Sequence, residues 1–92
     1  MIASIKHRGL KRLYERGDRS KVPAEYVDKL RRILFALEQA ATIEDVDLPG
    51  FRLHPLKENL RGWYAIIVRA NWRVIFRFQA GWAYDIDLVD YH

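Results

Sequence analysis

The sequence predicts an α+β domain: an N-terminal strand and two helices packed on a curved antiparallel sheet, in the order β-α-α-β-β-β-β. Three observations lead there. Apolar residues recur three and four apart between residues 6 and 41. From Phe51 onward the apolar period drops to two. The connections between these later segments are short, which makes neighbouring strands antiparallel. Ninety-two residues make one domain over 1–92, with no room for a second core.

The opening "MIASI" is short and apolar, a first strand. In "KHRGLKRLYERG", Leu10, Leu13 and Tyr14 share one helical face, and Gly17 is placed to stop the helix. "DRSKV" is a loop, after which Pro23 suits the first position of a second helix. That helix carries the stripe Val27, Leu30, Leu34, Leu37 and Ala41, widened by Ile33 and Ala40. "TIEDVDLPG" predicts one capped turn, with Asp45 three residues after Thr42 and Pro49-Gly50 ending it. Four strands follow: "FRLHPL", "WYAIIVR", "WRVIFRF" and "WAYDIDLVD", joined by "KENLRG", a tight turn at Ala70-Asn71, and "QAG". A last hairpin centred on Ala80 sets Arg73 opposite Asp87 and Arg77 diagonal to Asp85.

Composition narrows the chemistry. Half the residues are hydrophobic, which argues for a packed core, and there is no cysteine. A disulfide framework, a thiolate zinc site and a cysteine nucleophile are therefore excluded. No apolar run reaches signal-peptide or membrane-spanning length, so the expectation is a cytoplasmic protein with no membrane contact. The formal charge is +4, but its distribution says more. Residues 1–32 hold ten basic and four acidic residues, and residues 33–92 hold six and eight. A one-sided basic field suits a polyanion, because neutralised phosphates release counterions. Charged helix faces that simply solvate the domain are the plainer reading of charge alone.

The candidate reactive groups lie late in the chain. His7, alone among Lys and Arg, reads as an ordinary surface residue. In "RLHPLK", Pro55 ends strand pairing and forces His54 to be extended, so His54 marks a strand edge with Lys57 three residues on. A histidine merely bonded to a loop carbonyl is the alternative there. The strand pattern Tyr84, Ile86, Leu88 runs without a linker into Asp90, Tyr91 and His92. If the strand ends near 54 and 90 approach each other, these residues share one cleft. Such a group fits cleavage of RNA by its own 2′-hydroxyl, which needs a base, an acid and a cation on the phosphorane. "VRANWR" adds Arg69 and Arg73 across a tight turn. A two-residue turn sends them to opposite faces, leaving Arg73 the better candidate. No ligand spacing, phosphate loop or nucleophile elbow is present, so neither metal nor cofactor is expected. Trp63, Tyr64, Trp72 and Trp82 offer stacking platforms for bases, although aromatics at strand spacing more commonly pack against one another.

With "LHPLK", "VRANWR" and "VDYH" in order, and with both helical segments matching, the whole chain resembles the HigB-type toxins of the RelE/ParE superfamily. The resemblance implies a RelE-like fold and a toxin that enters the decoding site of the 70S ribosome and cuts mRNA there through the 2′-hydroxyl. It implies catalysis by His54, Asp90, Tyr91 and His92, with Lys57, Arg69 and Arg73 supporting phosphate and transition-state charge. Arg8, Lys11, Arg12, Arg16, Arg31 and Arg32 would face ribosomal RNA, the 16S rRNA of the decoding site. The implied partner is a helix-turn-helix antitoxin of HigA type. Relatives resembling the ParE branch act differently, by binding DNA gyrase without catalysis. The imidazoles and tyrosine on the late strands favour the nuclease, because a pure binder has no use for them.

Overall fold

The structure, a computed structural model, describes residues 1–91. Helix α1 spans Arg8–Arg16 and helix α2 spans Val27–Gln39. Four strands follow, β1 (His54–Pro55), β2 (Trp63–Arg69), β3 (Trp72–Gln79) and β4 (Trp82–Asp90). They form one antiparallel sheet in the order β1-β2-β3-β4.

The predicted first strand is a looser element. Ile2 and Ile5 make isolated parallel bridges to Ala83 and Ile86 on the outer edge of β4. The ladder is broken between them because Asp85, at φ 53°, bulges out of β4 and gives its amide to the Ser4 hydroxyl at 2.8 Å.

Local chemistry explains both helices. The His7 side chain accepts a hydrogen bond from the Leu10 amide at 3.1 Å, capping α1. His7 thus has a structural task that its neighbours in sequence concealed. Gly17, at φ 67°, closes the helix with its amide on the Leu13 carbonyl, while the Asp18 amide reaches Arg12. Pro23 precedes a 3-10 turn, Ala24–Tyr26, rather than opening α2 directly. Thr42 and Asp45 form the predicted cap: the Asp45 carboxylate accepts from the amides of Ala41 and Thr42 at 3.0 Å.

One face of the sheet is buried under the helices. Leu10, Leu13, Leu30, Ile33, Leu34 and Leu37 pack with Ile66, Val68, Val74, Phe76, Ile86 and Leu88. Fully burying a side chain of this kind stabilises by about 1.5–3 kcal/mol, so this layer holds the helices in place. Ala40 is buried, but Ala41 is exposed, because α2 ends at Gln39 and the chain turns away.

Three irregularities reset the predicted pairing. "FRLHPL" shortens to a two-residue strand, because Arg52 adopts φ 52° and Pro55 offers no amide. The β2–β3 ladder shifts between Ile67 and Arg69, and the β3–β4 ladder between Ile75 and Arg77. The last hairpin also turns between Ala80 and Gly81, with Gln79 opposite Trp82, so the predicted opposition of Arg73 and Asp87 is wrong. Arg73 faces Val89, and Asp87 faces Ile75. The predicted Arg77–Asp85 pair is present at 2.8 Å.

Candidate active site

The helices cover one side of the sheet and leave the other open. Directly paired residues share a face, so the register identifies what lines the open side. One row runs His54, Ala65, Ile75 and Asp87 across all four strands. The next holds Ile67, Arg73 and Val89, and the row on the other side holds Trp63, Arg77 and Tyr84. Ala65 and Ile75 are buried although they lie outside the helix-side core, giving the open face a dry centre with polar groups around it.

His54 sits half-buried at the edge of this face. Its Nδ1 lies 2.9 Å from the Arg52 carbonyl oxygen. A carbonyl can only accept, so Nδ1 carries a proton, and the neutral form of this ring has its lone pair on Nε2. The loop-carbonyl bond is therefore real, and it orients the imidazole as a proton acceptor. That carbonyl belongs to Arg52, whose backbone is left-handed at φ 52°.

Arg73 lies on the same face. Its Nη1 donates to the carbonyls of Ala70 at 2.5 Å and Trp72 at 3.2 Å, which holds the guanidinium at the β2–β3 turn. A bulge is present beside Arg69, but it does not unite the two arginines: Arg69 pairs with Trp72, on the helix side, and Arg73 with Ile67. Lys57 is exposed, just ahead of a 3-10 turn over Glu58–Leu60. Asp90 pairs with Trp72 at the end of β4. Tyr91 follows, exposed, with its amide on the Asn71 carbonyl at 2.8 Å. Arg73 and Tyr91 thus share one end of the sheet. His54 lies three inter-strand steps from the Asp87 position, on the order of 14 Å along the sheet. The predicted contribution of His92 lies outside the described residues.

The basic residues of the helical half occupy the other layer. Arg8, Lys11, Arg12 and Arg16, all exposed, line a shallow cleft along α1 together with Glu15. Arg12 is paired with Asp18 at 3.1 Å. The Ser20 hydroxyl and amide, and then Arg12, bring the Asp18 carboxyl down to about 2. Arg31 borders an apolar groove with Tyr14 and Phe35, whereas Arg32 stacks its guanidinium 5.8 Å from the Phe51 ring centre. This basic surface belongs to the helices, not to the face bearing His54.

The aromatic residues also divide by face. Trp72 and Tyr64 lie on the helix side, where Trp72 meets Tyr26 and Tyr64 stacks on Phe76. Trp63 lies on the open side, and so does Trp82 through its pairing with Gln79. Among the described residues no three His, Asp or Glu side chains converge as metal ligands. No helix among them is long and apolar enough to cross a membrane.

Comparison with known proteins agrees with this architecture. Residues 3–92 match the family described as the RelE-like toxin of type II toxin–antitoxin system HigB. The chain is 46% identical over 92 residues to Endoribonuclease HigB of Proteus vulgaris, covering all of both chains. It is 33% identical over 83 residues to Toxin HigB-1 of Vibrio cholerae serotype O1, covering 88% of this chain and 87% of that one. Among solved structures it resembles a mutant of YafQ from E. coli, with a TM-score of 0.52 and 19% identity. YafQ from E. coli strain BL21(DE3) gives 0.51 and 13%, and each alignment covers 91% of this chain and 87% of the other. At those identities the structural likeness speaks for the fold, and the sequence matches identify the lineage: the chain belongs to the HigB family of RelE-like toxins of type II toxin–antitoxin systems.

Proposed function

We propose that this toxin is a ribosome-dependent endoribonuclease that cuts mRNA in the decoding site and thereby halts translation. The observation that carries the reading is the orientation of His54 on the open sheet face, with Nδ1 committed to Arg52 and Nε2 left as the acceptor. The full-length likeness to an endoribonuclease supports it.

In this mechanism a base takes the proton of the 2′-hydroxyl, and the oxygen attacks the adjacent phosphorus. The 5′-oxygen leaves with a proton from an acid, giving a cyclic 2′,3′-phosphate and a 5′-hydroxyl end. His54 is suited to the base role by its Nε2 lone pair. His92 is then the matching acid, with Tyr91 and Asp90 beside it in sequence. Arg73, anchored at the β2–β3 turn, supplies positive charge for the phosphorane, assisted by Lys57, while Arg69, on the helix side, takes no part in that contact. The basic helical layer meets 16S rRNA, leaving the open face to the message. A type II toxin has an antitoxin partner, here of the helix-turn-helix HigA type, and the setting is the cytoplasm.

Inducible expression followed by mapping of 5′-hydroxyl RNA ends tests the proposal. Ends phased to codons on translated messages are expected. Growth arrest with no new ends would instead point to a non-catalytic target such as DNA gyrase. Equal cutting of naked message would remove the ribosome from the mechanism.

A further inference from the structure

The row Trp63–Arg77–Tyr84 lies beside the His54 row on the open face, two residues along β2 and β3 and, across the bulge, three along β4. That offset is about 7 Å, so the two rows are close neighbours on one surface. The Arg77 guanidinium stands 5.9 Å from the ring centres of both Trp63 and Tyr84. Asp85 binds it through Nε at 3.2 Å and Nη2 at 2.8 Å, which fixes its plane and offsets its charge. Arg77 is therefore placed as a flat stacking surface between two rings rather than as a mobile phosphate clamp. Beside it opens a cleft of about 480 Å³, lined by Arg61, Gly62, Arg77 and Tyr84 among others. Arg61 is exposed at its rim, and nothing stands within 4 Å of where a side chain on Gly62 would begin.

Two aromatic rings, a fixed guanidinium and a peripheral cation are the groups that hold an unpaired nucleotide. We propose that this cleft is a subsite for the message nucleotide adjacent to the scissile one, its base stacked on Tyr84 and Arg77, with Trp63 backing the guanidinium, and its phosphate met by Arg61. The inference rests on the nuclease reading above and adds a substrate contact to it. Stacking accepts any base, so the site contributes hold rather than sequence preference. It also gives Trp63 and Tyr84 a task distinct from the packing of Tyr64 and Trp72 on the helix side.

The test uses programmed ribosomes and messages carrying an abasic residue on either side of the cleavage point. For the unaltered protein, an abasic residue at one of these positions slows single-turnover cleavage on the order of tenfold, the loss expected for one stacked base. Tyr84→Leu erases that difference, and Tyr84→Phe keeps it. If Tyr84→Leu does not fold, Arg61→Gln is read against a neutral methylphosphonate at the same step, and the two losses should not add. An unaltered protein indifferent to both abasic positions overturns the proposal. So does a variant that slows cleavage equally on intact and abasic messages, because the contact is then with ribosomal RNA. Where no message is cut at all, the full-length protein is titrated with a short oligoribonucleotide and the ring signals of Trp63 and Tyr84 are followed by NMR. Shifts confined to those rings uphold the subsite while the nuclease reading falls, and unchanged rings overturn the subsite as well.

Discussion

The imidazole Nδ1 of His54 and the carbonyl oxygen of Arg52 lie 2.9 Å apart, a bond that decides which ring nitrogen is available for chemistry. Replacing His54 with Ala removes the proposed base and should lower single-turnover cleavage by about 10²- to 10⁴-fold. The fold should persist, because His54 sits half-buried at a sheet edge rather than in the core. Undiminished growth arrest from a stably folded variant would place the base elsewhere.

His92→Ala should cost a similar factor, about 3–5 kcal/mol of transition-state stabilisation, with an unchanged thermal transition. The motive is the terminal "VDYH". Cleavage at the wild-type rate would exclude an acid role for that residue.

Gly9→Ala tests packing between α1 and the loop before α2. A Cβ at Gly9 would run into the Lys21 carbonyl and press on the His7 ring. Alanine favours a helix by up to about 1 kcal/mol over glycine, but a backbone carbonyl cannot move aside, and overpacking costs about 1–3 kcal/mol. The clash wins, so the urea midpoint should fall, and a rise would refute this account.

Asp18 gives a pH signature. Its folded carboxyl sits at about 2, below the ordinary carboxylate value, through Ser20 first and Arg12 after. A group lowered on folding stabilises above its unfolded value and loses that contribution as pH falls through its folded value. The stabilisation is thus intact near neutrality and disappears between about pH 4 and pH 2. Asp18→Asn should be less stable than the parent at pH 6, and the gap should narrow towards pH 2. A gap independent of pH would rule out the charge as its source.

Lys11→Gln combined with Arg16→Gln tests the helical layer without disturbing the Arg12–Asp18 pair. If both side chains meet phosphates, the slope of log affinity for ribosomes against log salt should flatten by about one to two units. The loss should be largest at low salt. An unaltered slope means that this face points away from RNA.

Much of the fold was legible because periodicity reports directly on burial. The stripe from Val27 to Leu37 and the alternation Trp72, Val74, Phe76 both face the core they predict. The pairing register was less legible, because it depends on single residues that leave the ladder. Asp85 and Arg52 adopt positive φ although neither is glycine, and nothing in their side chains announces it. The bulge at Asp85, added to a turn centred between Ala80 and Gly81 rather than on Ala80, is why Arg73 meets Val89 instead of Asp87. In the candidate site, the proline after His54 revealed a strand edge, but the tautomer depends on a carbonyl two residues away that only three dimensions supply. Likewise, alternation separates Trp63 from Tyr64 and turns Trp72 to the core, but only the pairing with Gln79 places Trp82 on the open face.

The borders of the sheet carry a last consequence. On one border the N-terminal segment already occupies the outer amides and carbonyls of β4 around Ala83 and Ile86. On the other, β1 is two residues long, and one of them is a proline. Among the described residues, neither border offers a long row of vacant donors and acceptors to an incoming chain. Self-templated stacking into fibrils is thereby discouraged, and an antitoxin gains more by seating side chains on a surface of this toxin than by lengthening its sheet.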